Sequence, residues 1–430
     1  MKEYSYYKTI EKLSRKGSVP GLETMGHLLD LLGHPEEELS IIHVAGTNGK
    51  GSTLAFLAAI LKEAGNEVGR YISPTILCYE ERFQINGRFI PRDRLESYFQ
   101  KMEEISDLMR EKGWETPTIF EAETAIALLY FRDEKVDYAL IETGMGGLKD
   151  ATNIIEHPFL SIITSISEDH KAFLGDSLEE IACQKAGIIK NNVPVILAIN
   201  EEVVNDVVKK TCERVGAQCN VTQKGDLCEI RETPTGSAFR YLGEEYHINL
   251  PGFHQIENAV TAISAALLIR ERKGSDSVSM ENIKTGLSHT RWPGRLELIA
   301  ENPPFYMDGA HNPDGARKLA AFLQKHFTNR RIIYIMGVLR DKDYPLMLEY
   351  LMPLASWVYV FTPGNQRGLE ATELAKAVDS CQVPVTICDD VNEAVHRART
   401  EQKDADCFVL CGSLSFMEEF RNNVYRQTFV

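Results

Sequence analysis

The chain has 430 residues and a formal net charge of −15, with 47 Lys and Arg against 62 Asp and Glu. That length exceeds one ordinary hydrophobic core, so two domains are expected. The acidic balance argues against nucleic acid or an anionic membrane as the main partner, and no apolar run reaches the length of a membrane span. The nine cysteines lack paired metal-type spacing. The first seven residues lack the apolar core of a signal peptide, so a reduced, cytoplasmic protein is expected.

In chain order, Leu22, Met25, Leu28, Leu29 and Leu32 repeat at helical spacing, and Gly33 closes the segment. Residues 41–45 read as a buried strand running into Gly46-Thr47-Asn48-Gly49-Lys50-Gly51-Ser52, with a helix from about Lys50. Small residues let the loop N–H groups converge on one point. The helix N-terminus and Lys50 add positive charge there. The loop reads as a triphosphate cradle, although its spacing departs from G-x-x-x-x-G-K-[ST].

Residues 68–72 are expected as a strand that runs into Ser73-Pro74. Residues 82–90, with Asn86-Gly87 at their middle, read as a hairpin. A polar helix is expected over 93–112, and another begins at Thr118-Ile119-Phe120-Glu121. Residues 138–141 form a short buried strand that ends at Glu142, ahead of the turn Gly144-Met145-Gly146-Gly147. A strand at 160–163, a helix at 178–189 and a strand at 193–198 continue the alternation. Such a pattern implies a parallel sheet covered on both faces, with ligands at the carboxyl ends of its strands.

Residues 227–250 read as an antiparallel patch, and 256–270 as a helix. Arg291-Trp292-Pro293-Gly294-Arg295 breaks the pattern and reads as a linker. A second alternating block follows, with strands near 305–308, 332–336, 358–361, 383–387 and 408–410. The expected fold class is α/β: a parallel-sheet ATPase domain with its phosphate loop over residues 1–290, a linker at 291–296, and a smaller Rossmann-like domain over 297–430.

Glu142, where a buried strand meets a glycine turn, is placed to hold Mg²⁺ beside the phosphates. His170 lies just beyond another strand end, with Asp169 able to orient it. Lys185 sits on a helix capped by Asp176 or Ser177. A buried lysine with a depressed pKa reacts with CO₂ and becomes an anionic metal ligand. Asp308-Gly309-Ala310-His311 stands at a strand end and offers an acceptor for a ribose hydroxyl and an imidazole for substrate. Arg295 can reach phosphate from the linker.

Together these motifs resemble the folylpolyglutamate synthase and dihydrofolate synthase branch of the Mur ligase superfamily. The carrying residues include Gly46 to Ser52, Ser73-Pro74, Phe120-Glu121, Asp150-Ala151-Thr152-Asn153, Asp169-His170 and Lys185-Ala186-Gly187-Ile188. His254 to Ala259, Trp292-Pro293-Gly294-Arg295 and Asp308 to Pro313 complete the set. The extra Gly51 is typical of that branch. The resemblance implies an ATP-dependent ligase that activates a carboxylate as an acyl phosphate and joins it to the amine of L-glutamate. The acceptor is then folate, dihydropteroate or both.

It further implies ATP contacts from Asn48, Gly49, Lys50, Gly51, Ser52, Asn258, Arg295 and Asp308. Ser73 and Glu142 become ligands of one Mg²⁺, and His170 of a second. Lys185 takes the part of a carbamylated lysine, and Lys50, Lys185 and His311 act in catalysis. Phe120, Glu121, Asp150 and Thr152 border the acceptor. A monomer with small-molecule substrates is the family expectation.

Several positions differ from the family pattern: Thr75, Leu148-Lys149, Ser167-Glu168, Gln184, Gly21-Leu22-Glu23-Thr24 and Gly412-Ser413-Leu414-Ser415-Phe416. Several of them border the acceptor side. Two other readings therefore stand beside the first: a paralogous ligase for a non-folate carboxylate, and a nucleotide-binding regulator without ligase activity.

Overall fold

The computed structural model describes residues 4–17, 19–169 and 171–422. Eight strands form the first sheet: β1 (Ile41–Ala45), β2 (Val68–Tyr71), β3 (Phe83–Ile85), β4 (Arg88–Phe89), β5 (Tyr138–Glu142), β6 (Leu160–Ile163), β7 (Val195–Leu197) and β8 (Cys219–Val221). Their order is β4-β3-β2-β5-β1-β6-β7-β8. Six strands are parallel, and β3 and β4 add an antiparallel margin. That margin is the Asn86-Gly87 hairpin, whose two turn residues take φ of 50° and 80°, as a tight two-residue turn requires. Strand β1 is buried at every residue because helices cover both faces.

One face packs against helices Lys50–Glu63, Phe253–Lys273 and Met280–His289. The other packs against Glu23–Leu32, Arg92–Glu111 and Ile119–Asp133. The last of these starts with a reciprocal cap. Glu121 N donates to Thr118 Oγ1 at 3.3 Å, and Thr118 N donates to Glu121 Oε2 at 2.7 Å. Three antiparallel strands follow: β9 (Leu227–Thr233), β10 (Gly236–Tyr241) and β11 (Glu244–Ile248).

The second sheet holds β12 (Glu297–Glu301), β13 (Pro304–Met307), β14 (Ile332–Met336), β15 (Ala355–Val360), β16 (Val385–Ile387) and β17 (Cys407–Cys411). Their order is β12-β13-β17-β14-β15-β16, parallel except for the β12–β13 hairpin. Apolar clusters cover both of its faces.

The helix expected over 178–189 stops at Ala186. The turn after β5 occupies that end: Leu148 N donates to Gln184 O at 2.7 Å, and the Leu148 backbone fills the space beside Gly187. Helices Tyr6–Ser14, Glu202–Arg214 and Met280–His289, and strands β8 and β12, were not among the expected elements.

Candidate functional site

Strand β1 lies between β5 and β6, so the sheet order reverses beside it. Connections leave to opposite sides there and open a crevice at the carboxyl ends of the strands. The loop from Gly46 to Ser52 sits in that crevice. Its shape is fixed by β6 and the residues after it. Thr47 N and Asn48 N both donate to Ser165 O, at 2.8 and 3.2 Å, and Thr164 Oγ1 donates to Asn48 O at 2.9 Å. Gly49 has φ of 87°, and a β-carbon on it would overlap Asn258 Oδ1. The helix then begins at Lys50, so its unpaired N–H groups face the crevice.

Three charged groups meet at this point. Lys50 Nζ donates to Gly46 O at 3.2 Å and lies 3.7 Å from Glu142 Oε1. Lys185 Nζ donates to the same Gly46 O at 2.8 Å. Burial raises the Glu142 carboxyl pKa, opposed by Lys50, Arg295 and the Ser73 backbone N–H. Burial, and then the charge of Lys50, push Lys185 down to about 7. Ser73 lines the same cleft. A buried carboxylate beside a hydroxyl and phosphate-facing donors is a hard-oxygen set that suits Mg²⁺.

The second sheet contributes the opposite wall. Asp308 follows β13, and its carboxylate accepts from Leu296 N at 2.8 Å and Ala310 N at 2.9 Å. His311 Nδ1 lies 2.8 Å from Gly309 O and donates to it, which leaves Nε2 as the acceptor. Burial holds His311 down to about 4, so it is neutral. Arg295 is packed so close to Gly309 that any side chain there would strike Nη1. Asp308 and Glu142 are the acidic groups that face it most strongly. Gly49, Gly51, Ser52 and Asn258 also line the cleft.

A polar seam joins the two walls. Asn312 Nδ2 donates to Asn48 Oδ1 at 3.2 Å and to Asp169 Oδ2 at 3.0 Å. Asn48 Nδ2 donates to Asp314 Oδ2 at 2.8 Å, and Lys342 Nζ to Asp169 Oδ1 at 2.8 Å. Lys342, Asp314, His254, Gln255 and Lys318 were not singled out in the sequence. Of these, only His254 and Gln255 fall inside a family motif, and Lys342 sits in the charged run Arg340-Asp341-Lys342-Asp343, which carries no motif.

The expected acceptor residues divide. Phe120 stands against Gly144 of the cleft wall, where a β-carbon would come within 2.5 Å of its ring. Glu121 instead spends its carboxylate on the helix cap. Asp150 accepts from Met145 N at 2.8 Å and Thr152 Oγ1 at 2.6 Å, and Thr152 Oγ1 also lies 2.8 Å from His43 Nε2. These three turn their polar atoms into the fold and support the wall from behind. His170 lies outside the described residues.

Residues 44–266 match the Mur ligase middle domain, and residues 294–414 match the Mur ligase glutamate ligase domain. The chain is 36% identical over 417 residues to the dihydrofolate synthase/folylpolyglutamate synthase of Bacillus subtilis, which spans 95% of this chain and 96% of that protein. Its structure is similar to Mycobacterium tuberculosis folylpolyglutamate synthase complexed with ADP and AMPPCP, with a TM-score of 0.89 at 28% identity over 97% and 98% of the two chains. It is also similar to E. coli FolC in complex with DHPP and ADP, with a TM-score of 0.85 at 28% identity over 98% and 97%.

Proposed function

The chain belongs to the Mur ligase family, in its folylpolyglutamate synthase/dihydrofolate synthase branch, and on that premise we propose how its cleft joins two substrates. The protein is an ATP-dependent carboxylate–amine ligase that adds L-glutamate to a pterin carboxylate. The observation that carries the mechanism is the meeting of Lys50, Glu142 and Lys185 at the end of β1, faced by Arg295 and His311.

Backbone N–H groups from Gly49 to Ser52 hold the triphosphate, and Lys50 faces the phosphoryl group in transfer. An acceptor carboxylate oxygen attacks the γ-phosphorus, the bond to the β-phosphate oxygen breaks, and ADP departs. The product is an acyl phosphate. The neutral amine of L-glutamate attacks its carbonyl carbon, the bond to the phosphate oxygen breaks, phosphate leaves with the proton given up by the amine, and the amide forms. His311 Nε2 accepts a hydrogen bond from that amine and orients it. It is a fit acceptor because burial keeps the ring neutral. Arg295 binds phosphate oxygens from the linker, Asn258 holds the loop through Gly49, and Asp308 fixes the linker.

Ser73 and Glu142 would hold one Mg²⁺, and His170 with Lys185 a second. Mg²⁺ supplies charge neutralisation on the phosphates. The neutral Lys185 amine adds CO₂ as a carbamate with loss of one proton, so the ammonium form gives up two protons in all and a cation is replaced by an anionic ligand. Phe120 borders the acceptor, with Glu121, Asp150 and Thr152 holding the wall behind it. The protein acts on small molecules as a cytoplasmic monomer. No helix among the described residues is long and apolar enough to cross a membrane.

The test is phosphate release with ATP, Mg²⁺, L-glutamate and each of folate, tetrahydrofolate and dihydropteroate. Release that requires a pterin is the expected result. Release with no pterin, or only with an unrelated carboxylate, would overturn the assignment.

A further inference from the structure

The linker between the two sheets is anchored on both sides of one residue. Trp292 belongs to the first core: it is 6% exposed and packs in one cluster with Leu54, Leu57 and Leu287. From Gly294 onward the backbone belongs to the second sheet. Gly309 N donates to Gly294 O at 2.8 Å, Gly294 N to Glu297 Oε2 at 2.8 Å, and Leu296 N to Asp308 Oδ2 at 2.8 Å. Pro293 lies between Trp292 and these anchors, and Arg295 lies between the anchored Gly294 and Leu296.

Trp292 also touches the catalytic loop. A β-carbon on Gly51 would lie 2.8 Å from Trp292 Cζ2 and 3.3 Å from Cε2, so the indole rests directly on the phosphate-loop backbone. Gly51 has no positive φ that would demand glycine; the ring does. The guanidinium of Arg70 lies 4.7 Å from the Trp292 ring centroid. Arg70 stands on β2, which leads to Ser73, and Glu81 and Glu142 are the acidic groups that act on it. The indole Nε1 is buried and has no hydrogen-bond partner among the described residues. An orphaned donor is a desolvation penalty that a smaller ring would avoid, so the indole is held there by its shape and face.

We propose that Trp292 is a positioning residue that registers the phosphate loop against the interdomain pivot, so that nucleotide in the loop sets where Arg295 stands. The proposal rests on the ligase mechanism above. Loop and pivot share one rigid side chain, and packed interiors transmit small displacements instead of absorbing them.

The protein has three tryptophans. Trp114→Phe/Trp357→Phe leaves Trp292 as the sole tryptophan, read by excitation at the red edge where tyrosine does not absorb. Titration with AMPPCP and Mg²⁺, without acceptor, is expected to change its emission saturably, with a half-point near the KM for ATP. In kinetics, Trp292→Leu lowers kcat at least tenfold with the acceptor KM unchanged, and Trp292→Phe recovers most of the loss. Gly51→Ala also lowers kcat. Gly51→Ala/Trp292→Leu loses at least fivefold less than the product of the single losses, because leucine leaves room for the new methyl group. Emission that ignores nucleotide, or losses that simply multiply, would overturn the proposal. Pterin-dependent phosphate release by the unsubstituted protein checks the ligase assignment separately. The emission titration needs no substitution at Trp292.

Discussion

Replacing Lys185 with methionine separates what the residue does for catalysis from what it does to stability. Its amine is buried, and its pKa falls from 10.5 to about 7. A shift of that size corresponds to about 5 kcal/mol of penalty on the charged form. The folded pKa lies below the unfolded one, so the unfolded state binds the extra proton between about pH 7 and 10.5. Stability therefore rises with pH through that window, and the full penalty is present below pH 7. Lys185→Met removes the penalty along with the bond to Gly46 O. The nucleotide-free variant should gain several kcal/mol at pH 6. That gain should shrink by roughly 1.4 kcal/mol per unit above pH 7.

The same shift makes Lys185 reactive. At pH 8 its neutral fraction is roughly 300-fold that of a solvated lysine. Protein equilibrated with ¹³C-bicarbonate should show a carbamate carbon signal that Lys185→Met lacks. Turnover should fall on the order of 10³-fold, and short carboxylic acids should partly restore Lys185→Ala. The assays are urea unfolding at pH 6 and 9, ¹³C NMR and phosphate release. A pH-independent stability change, or full activity in the variant, would refute the reasoning.

Three further outcomes are expected. Glu142→Gln should cut turnover at least a hundredfold while leaving the nucleotide-free protein no less stable in urea at pH 7, because burial already opposes the charged carboxylate; a large stability loss would contradict this. Gly49→Ala should raise the KM for ATP about tenfold or more, since φ of 87° and contact with Asn258 both resist a β-carbon; an unchanged KM would refute the close approach. Thr118→Ala should lower stability by about 1 kcal/mol through loss of the reciprocal cap to Glu121, measured by urea unfolding.

Much of this architecture was legible in the sequence where two signals agreed. Residues 41–63 carry an apolar run, a glycine turn and a helical pattern in succession, and they fold that way. Helix Glu202–Arg214 gave conflicting signals, because Val203, Val204, Val207 and Val208 favour strand by their β-branching and helix by their spacing. Strand β12 escaped because it pairs only with β13, as the other arm of a hairpin. In the site, motif residues identified the cleft, but side-chain direction was invisible. Glu121, Asp150 and Thr152 look equally able to face a ligand or the fold, and their rotamers decide. Lys342 joins the site only because a distant strand end brings Asp169 within 2.8 Å of it.

The central claim is that the acceptor carboxylate is phosphorylated before the amide forms. An acceptor labelled with ¹⁸O in both carboxylate oxygens tests it most directly. The expected result is one ¹⁸O in each released phosphate and one in the new amide carbonyl. Released phosphate without ¹⁸O, in a reaction that still makes the amide, would contradict it.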